Sequence, residues 1–301
     1  MSARASIGPA PTPRRGLVRD WLWNPWAETR FLWVVGIGYI VWTMIPLIDA
    51  VIFSFNNGRS DTVWQGFSIR WYTSDPLASV LHDPELQHAV AQSLKLASLT
   101  ALISVPIGVA FALSLHRWRG RTPGTANFVM MFSFVTPELI LAVSLYLLYT
   151  HPFTFVGLGT AAQLSGLVVL ALAYPVVIVR ARLLSLGNEF EEAGQDLGAS
   201  PTRTLWRVTL PLLGPSIFAS AAIIFAFTLD DFVIANQLAG AANDQTVSMY
   251  IYAAARAGAT PAANAVGTIM LVASTVTIAL AFIVYRRASK KLGERVDKAR
   301  S

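Results

Sequence analysis

Three acidic side chains, Glu138, Asp230 and Asp231, lie inside long apolar stretches, where a carboxylate can partner a cation, carry a proton or tie helices together. A charge at the centre of a bilayer costs a few kcal/mol or more, so each must face water, a cation or a hydrogen-bonding neighbour. Counting along an ideal helix puts Glu138 roughly 18 Å into its apolar stretch, near the middle of a bilayer. The aspartate pair falls roughly 22 Å beyond Pro215, nearer the other side. Two roles stay open: lining a route for a cationic solute, or bonding to Ser, Thr and backbone groups of neighbouring helices. Other chemistry is missing. His82, His88, His116 and His151 occupy polar segments without metal-ligand spacing, and no phosphate loop of the Walker type or nucleophile elbow occurs. With no cysteine in the chain, disulfides and thiolate metal sites are excluded. The sequence therefore predicts no catalytic residue and no metal site.

The second stretch with polar chemistry is Asn188 to Pro215, set between two apolar runs. Asn188 can cap a short helix, with Glu191 as its capping-box partner and Glu189 near the positive helix end. Gly198 suits the left-handed residue that ends such a helix. Ser200 followed by Pro201 starts a second short helix, which Pro211 and Pro215 are expected to stop. The product is a helix-turn-helix knob whose Phe190, Leu197, Leu205 and Trp206 form an apolar surface in need of a partner.

The elements that must position these groups are membrane helices. The chain is 54% hydrophobic and 13% charged, against roughly 25% charged residues in a soluble domain. Apolar runs of about 20 residues, each able to span a bilayer, recur along it. Six are expected: 31–55, 93–115, 126–149, 163–179, 215–235 and 263–285. This makes an all-α polytopic membrane protein. Residues 1–31 form an N-terminal tail, 32–285 the transmembrane domain with the polar loop at 186–214, and 286–301 a basic C-terminal tail. Arg14-Arg15 resembles a twin-arginine signal only superficially, because the run after it is too long for a signal core and no small-residue cleavage site follows.

Lysine and arginine set the orientation. Arg117, Arg119, Arg121, Arg180, Arg182, Arg203, Arg207, the N-terminal arginines and the cations from Arg286 onward fall on one side, against Arg59, Arg70 and Arg256 on the other. Both termini and the polar knob are thus expected on the cytoplasmic side. The net charge of +6 belongs to juxtamembrane segments that anionic lipid headgroups favour, so membrane lipid is expected as a partner and nucleic acid is not.

Glu192-Ala193, then Gly198, then Val208-Thr209-Leu210-Pro211 resemble the Glu-Ala-Ala signature loop of type I ABC importer permeases. One departure occurs: Gly194 stands where alanine is usual, which costs up to about 1 kcal/mol of helix propensity. The resemblance implies the type I ABC importer permease fold in a bacterial cytoplasmic (inner) membrane. It also implies a coupling helix that docks on a separate ATPase, with Glu189, Glu191, Glu192, Ala193, Gly198, Ser200 and Pro211 as coupling residues. A second resemblance, to the spermidine/putrescine branch, rests on Pro137-Glu138, Leu229-Asp230-Asp231-Phe232-Val233, Val247-Ser248-Met249-Tyr250 and Asn264-Ala265. It implies a small cationic solute, most simply a polyamine. The implied partners are an ABC ATPase dimer, a second permease subunit of a different sequence and an extracytoplasmic solute-binding protein. ATP is used by the ATPase, and this chain binds no cofactor of its own. An ion- or proton-coupled secondary transporter, with Glu138 and Asp230 as coupling sites, is the alternative.

Overall fold

The computed structural model describes residues 29–76, 78–117, 136–187, 189–258 and 260–300, with backbone alone at 29–31, 242 and 288–300. Residues up to Asp49 and those from Ala50 onward are separate units. Almost all described residues are helical, and the only β pairing among them is an isolated bridge between Asn56 and Phe67. Five helices are long and apolar enough to cross a membrane, and Glu138–Thr150 is a shorter apolar one. The predicted start of the third span and its preceding turn, with Arg119 and Arg121, lie outside the described residues, as do Asn188 and Arg14-Arg15.

Helix α1, Thr29–Phe53, is apolar on all sides, as expected of a helix surrounded by lipid. In the second unit, α2 runs from Pro84 to Arg117, nine residues earlier than the apolar run suggests. Asp83 explains the extension: its Oδ1 accepts the N–H groups of Glu85 and Leu86 at 2.9 and 3.2 Å, capping a turn whose side chains are polar. Helix α3 is Glu138–Thr150. The fourth span is longer than predicted and has two parts, α4 (Thr160–Ala171) and α5 (Ala173–Leu186), meeting next to Pro175. Two short helices follow, α6 (Glu189–Asp196) and α7 (Pro201–Thr204).

The expectation that Pro211 and Pro215 stop the second short helix is corrected. The chain passes from α7 through a π-helical turn, Leu205–Thr209, directly into α8, Leu210–Asp230. The wide turn bonds the Leu210 N–H to the Leu205 carbonyl and delivers Pro211 to the first positions of α8, where a missing N–H is tolerated. Pro215 is absorbed inside the helix, as membrane helices allow. At the other end the span stops at Asp230, short of the predicted 235. The supposed loop after it holds α9 (Val233–Gln237), a 3-10 turn (Ala242–Asp244) and α10 (Val247–Ala257). The final helix, α11, runs from Pro261 to Arg300, so the basic tail continues the last span as helix.

Helices α2, α5 and α8 pack around Val105, Val109, Ala112, Val176, Val179, Leu183, Leu213 and Ile224. In lipid such contacts gain by packing density and interhelical hydrogen bonds more than by water exclusion. The polar side supplies the bonds. Gln163 of α4, fully buried, donates to the carbonyls of Ala235 and Asp244 at 2.9 Å each and accepts from Gln92 of α2 at 3.0 Å.

Candidate functional site

The three intramembrane acids, expected at different depths, meet in one cavity of about 480 Å³. Its wall is Glu138 from the start of α3, Ile223, Ala226, Phe227 and Asp230 from α8, Asp231, Phe232 and Val233 beyond it, and Ile278 from α11. The volume lies in the range of small-molecule sites. Local structure explains how the acids converge. Helix α8 ends at Asp230, and the Asp231 backbone turns to extended geometry with ψ 125°. The Asp231 side chain is buried, and its Oδ1 accepts the Ala235 N–H at 3.0 Å, holding the start of α9. Beyond that bond, the Asp231 carboxyl interacts with Glu138, the second acid of the wall, through a side-chain hydrogen bond and like charge. Asp230 is exposed to the cavity and takes only long bonds from Ser274 of α11, at 3.4 and 3.5 Å. Asp230 stands at the negative end of α8, which opposes its charge. That cost makes a cationic occupant the natural complement of the site.

Ile223 and Ile278 also line a second cavity of about 600 Å³ between α5, α8 and α11, whose other residues include Arg182, Ser185, Ser216 and Tyr285. The two isoleucines are therefore the partition between an acid-lined chamber and an apolar one toward the knob end of α8.

Around the acids, polar contacts hold the outer ends of the helices. The Ser248 hydroxyl of α10 donates to the Asp231 carbonyl at 2.6 Å, and the Val247 N–H donates to Ser93 of α2 at 2.9 Å. Tyr250 donates to Asp83 at 2.5 Å. Burial and that acceptor push the tyrosine hydroxyl well above its ordinary range. Asp244 clamps the loop: Oδ1 accepts the Thr160 N–H and hydroxyl at 3.0 and 2.8 Å, and Oδ2 accepts the N–H groups of Gly240 and Ala241 at 3.2 and 3.0 Å. Burial acts against its charge, but these bonds outweigh burial and hold the carboxyl below its ordinary value.

The knob is built as a rigid unit. Gly198 takes φ +78°, a left-handed value that other residues reach at a cost of about 1–2 kcal/mol, and it turns α6 toward α7. Ser200 caps α7, accepting the Arg203 N–H at 3.4 Å. Gly194, the departure from alanine, permits close packing: a Cβ there would meet Thr204 Cγ2 at 3.1 Å, so the two short helices approach where alanine would push them apart. Leu197 is 89% and Trp206 68% exposed, while Phe190 and Leu205 are half-buried. The apolar surface open to a partner is thus narrower than the four residues expected.

Glu191 does something the sequence did not suggest. Its Oε1 accepts from Arg117 Nη2 at 2.8 Å and from the Thr209 hydroxyl at 2.9 Å. Burial opposes the charge, but these bonds and the positive Arg117 and His116 outweigh it and lower the carboxyl below its ordinary value. Glu192 and Gln195 line a polar recess of about 380 Å³ with His116, Arg117 and Pro201. Glu189 and Ala193 are exposed on α6, and Pro211 sits at the base of α8, away from that recess. Among the described residues no group of three metal-ligating side chains occurs.

Residues 104–294 match the family model described as binding-protein-dependent transport system inner membrane component. The chain belongs to that family, and with its apolar helices it is a multi-pass inner-membrane protein of the type I ABC permease fold. It is 32% identical over 261 residues, 85% of this chain and 90% of the relative, to the putrescine transport system permease protein PotI of Escherichia coli (strain K12). It is 29% identical over 249 residues, 83% of this chain and 91% of the relative, to the spermidine/putrescine transport system permease protein PotC of Shigella flexneri. A chain of a bacterial ABC transporter involved in the import of the acidic polysaccharide alginate shares the fold with a TM-score of 0.66 at 18% identity, covering 88% of this chain and 98% of that one.

Proposed function

We propose that this chain is a permease subunit of an ATP-driven importer for a small organic cation, most simply a polyamine such as putrescine or spermidine. The observation that carries this reading is the cavity in which Glu138, Asp230 and Asp231 converge with no basic side chain among the residues of its wall. Its Phe227 and Phe232 add apolar aromatic wall for the methylenes between ammonium groups. The names of the relatives, putrescine and spermidine/putrescine permeases, agree with that chemistry. The solute leaves unchanged, passing from the acid-lined chamber between Ile223 and Ile278 into the apolar one. The chain has no ATPase site of its own. The knob, on the cytoplasmic side with both termini, docks on an ABC ATPase dimer through Leu197, Trp206 and the polar recess at Glu192. A second permease subunit completes the path, and a solute-binding protein delivers the cation from outside. One solved relative in fold is an ABC transporter in complex with a periplasmic protein.

Uptake of radiolabelled putrescine by vesicles containing the complex tests the reading. We expect ATP to drive it, and Glu138→Gln, Asp230→Asn and Asp231→Asn each to reduce it. Wild-type uptake in all three variants defeats the acid-lined route. Uptake that needs an ion gradient and ignores ATP replaces the importer with a secondary transporter.

A further inference from the structure

We propose that Glu191 is an internal strut of the importer, not a docking residue: its carboxylate fastens the coupling helix to two long membrane helices, so that one displacement of the knob moves both. The inference rests on the importer reading above. The strut is geometric. One oxygen takes Arg117, the last residue of α2, and Thr209, the last residue of the π turn that becomes α8. Thr209 is 4% exposed, so at least that half of the junction is shielded from water. The π turn sits where the strut attaches; such turns distort a helix and cluster at functional positions. Gly194 packed against Thr204, and the Ala199 N–H donating to the Gly194 carbonyl at 3.0 Å, hold α6 to α7, so the knob travels as a body.

The far ends of the two rods come together as well. Helix α8 ends at Asp230, beside Asp231. Helix α2 has 34 residues, about 50 Å at 1.5 Å per residue. Near its far end Ser93 accepts the Val247 N–H, and the neighbouring Ser248 holds the Asp231 carbonyl. Two rods joined at the knob by Glu191 and at the acids through α10 form a closed frame. Moving one end re-aims the other, and cutting the strut frees the knob from α2 while the chain still joins it to α8. Glu191 is thus a positioning residue that acts through Arg117 and Thr209.

The natural chain has no cysteine, so spin labels can be placed at the exposed Asp196→Cys on the knob and Ser114→Cys on α2 in the complete complex. The wild-type strut gives one narrow distance distribution, equally narrow without nucleotide and with ATP. Glu191→Ala broadens it, and Thr209→Val, which cuts only the tie to α8, leaves the knob-to-α2 distance narrow. In the same vesicles the ratio of putrescine imported to ATP hydrolysed falls by about two- to fivefold in Glu191→Ala, because the Arg117–Glu191 pair is partly exposed and such pairs contribute little. It falls less in Thr209→Val. Equal distribution widths in wild type and Glu191→Ala, or an unchanged ratio, overturn the strut. If wild type imports neither putrescine nor spermidine, the polyamine reading fails while the distances still decide the strut.

Discussion

The two polar regions of this membrane protein use their carboxylates in opposite ways. At the knob, Glu191 is fully engaged, one oxygen bonded to a cation and a hydroxyl. In the chamber, Asp231 meets a second acid, Glu138, and Asp230 has only long bonds from Ser274. A satisfied carboxylate fixes geometry, whereas acids gathered in a low-dielectric wall store affinity for a cation that is not yet there. On the proposed reading, the same side-chain type serves as a mechanical joint at one end of α8 and as a binding group at the other.

The contrast breaks most visibly if the chamber acids are neutralised. Asp231→Asn should lower uptake by tenfold or more, on the order of the loss of one charge-assisted contact to an ammonium group, and initial rates of putrescine uptake measure it. A smaller loss than in Glu191→Ala would mean that the strut, not the chamber, governs transport. Next in size is the outer clamp. Asp244→Ala strips acceptors from Thr160, Gly240 and Ala241 and should destabilise the chain by about 1–3 kcal/mol, read as a lower thermal midpoint in detergent.

Acidification separates the two ends without mutation. The folded-state value of Glu191 is depressed below its ordinary 4.5, so the strut contributes fully above that value and is lost as pH falls through the lowered one. The Asp196-to-Ser114 distance distribution should stay narrow as pH falls from neutral to 4.5 and broaden only below it. The smallest effect belongs to the cap: Ser200→Ala should cost about 0.5–1 kcal/mol, the low end for caps because its bond is long. Hydrogen exchange at the Arg203 amide would register it.

Much of this was readable in advance. Apolar run length announces the membrane helices, and Gly198, Ser200 and Pro201 announce the knob, because a left-handed residue, a cap and a first-turn proline are local requirements. What stayed hidden was non-local. Gln92 and Gln163 stand out as amides in apolar stretches, yet nothing along the chain pairs them 71 residues apart. Arg117 reads as one more cytoplasmic cation, and Glu191 as a capping-box partner, until folding brings them within 2.8 Å. Proline misled for a related reason: Pro211 looks like a stop, but the π turn before it places its missing donor where none is needed. The convergence of Glu138 with the aspartates likewise depends on the break after Asp230, which depth counting along straight helices cannot supply.

The central claim is that the knob is where an ATPase drives the acids at the far end of α8. Isolating the tagged chain in mild detergent from its native membrane, beside Gly198→Asp, and identifying the proteins that accompany each tests it most directly. An ABC ATPase present with the wild type and depleted with the variant is the predicted result. A wild-type preparation without any ATPase, under conditions that keep other membrane complexes intact, contradicts it.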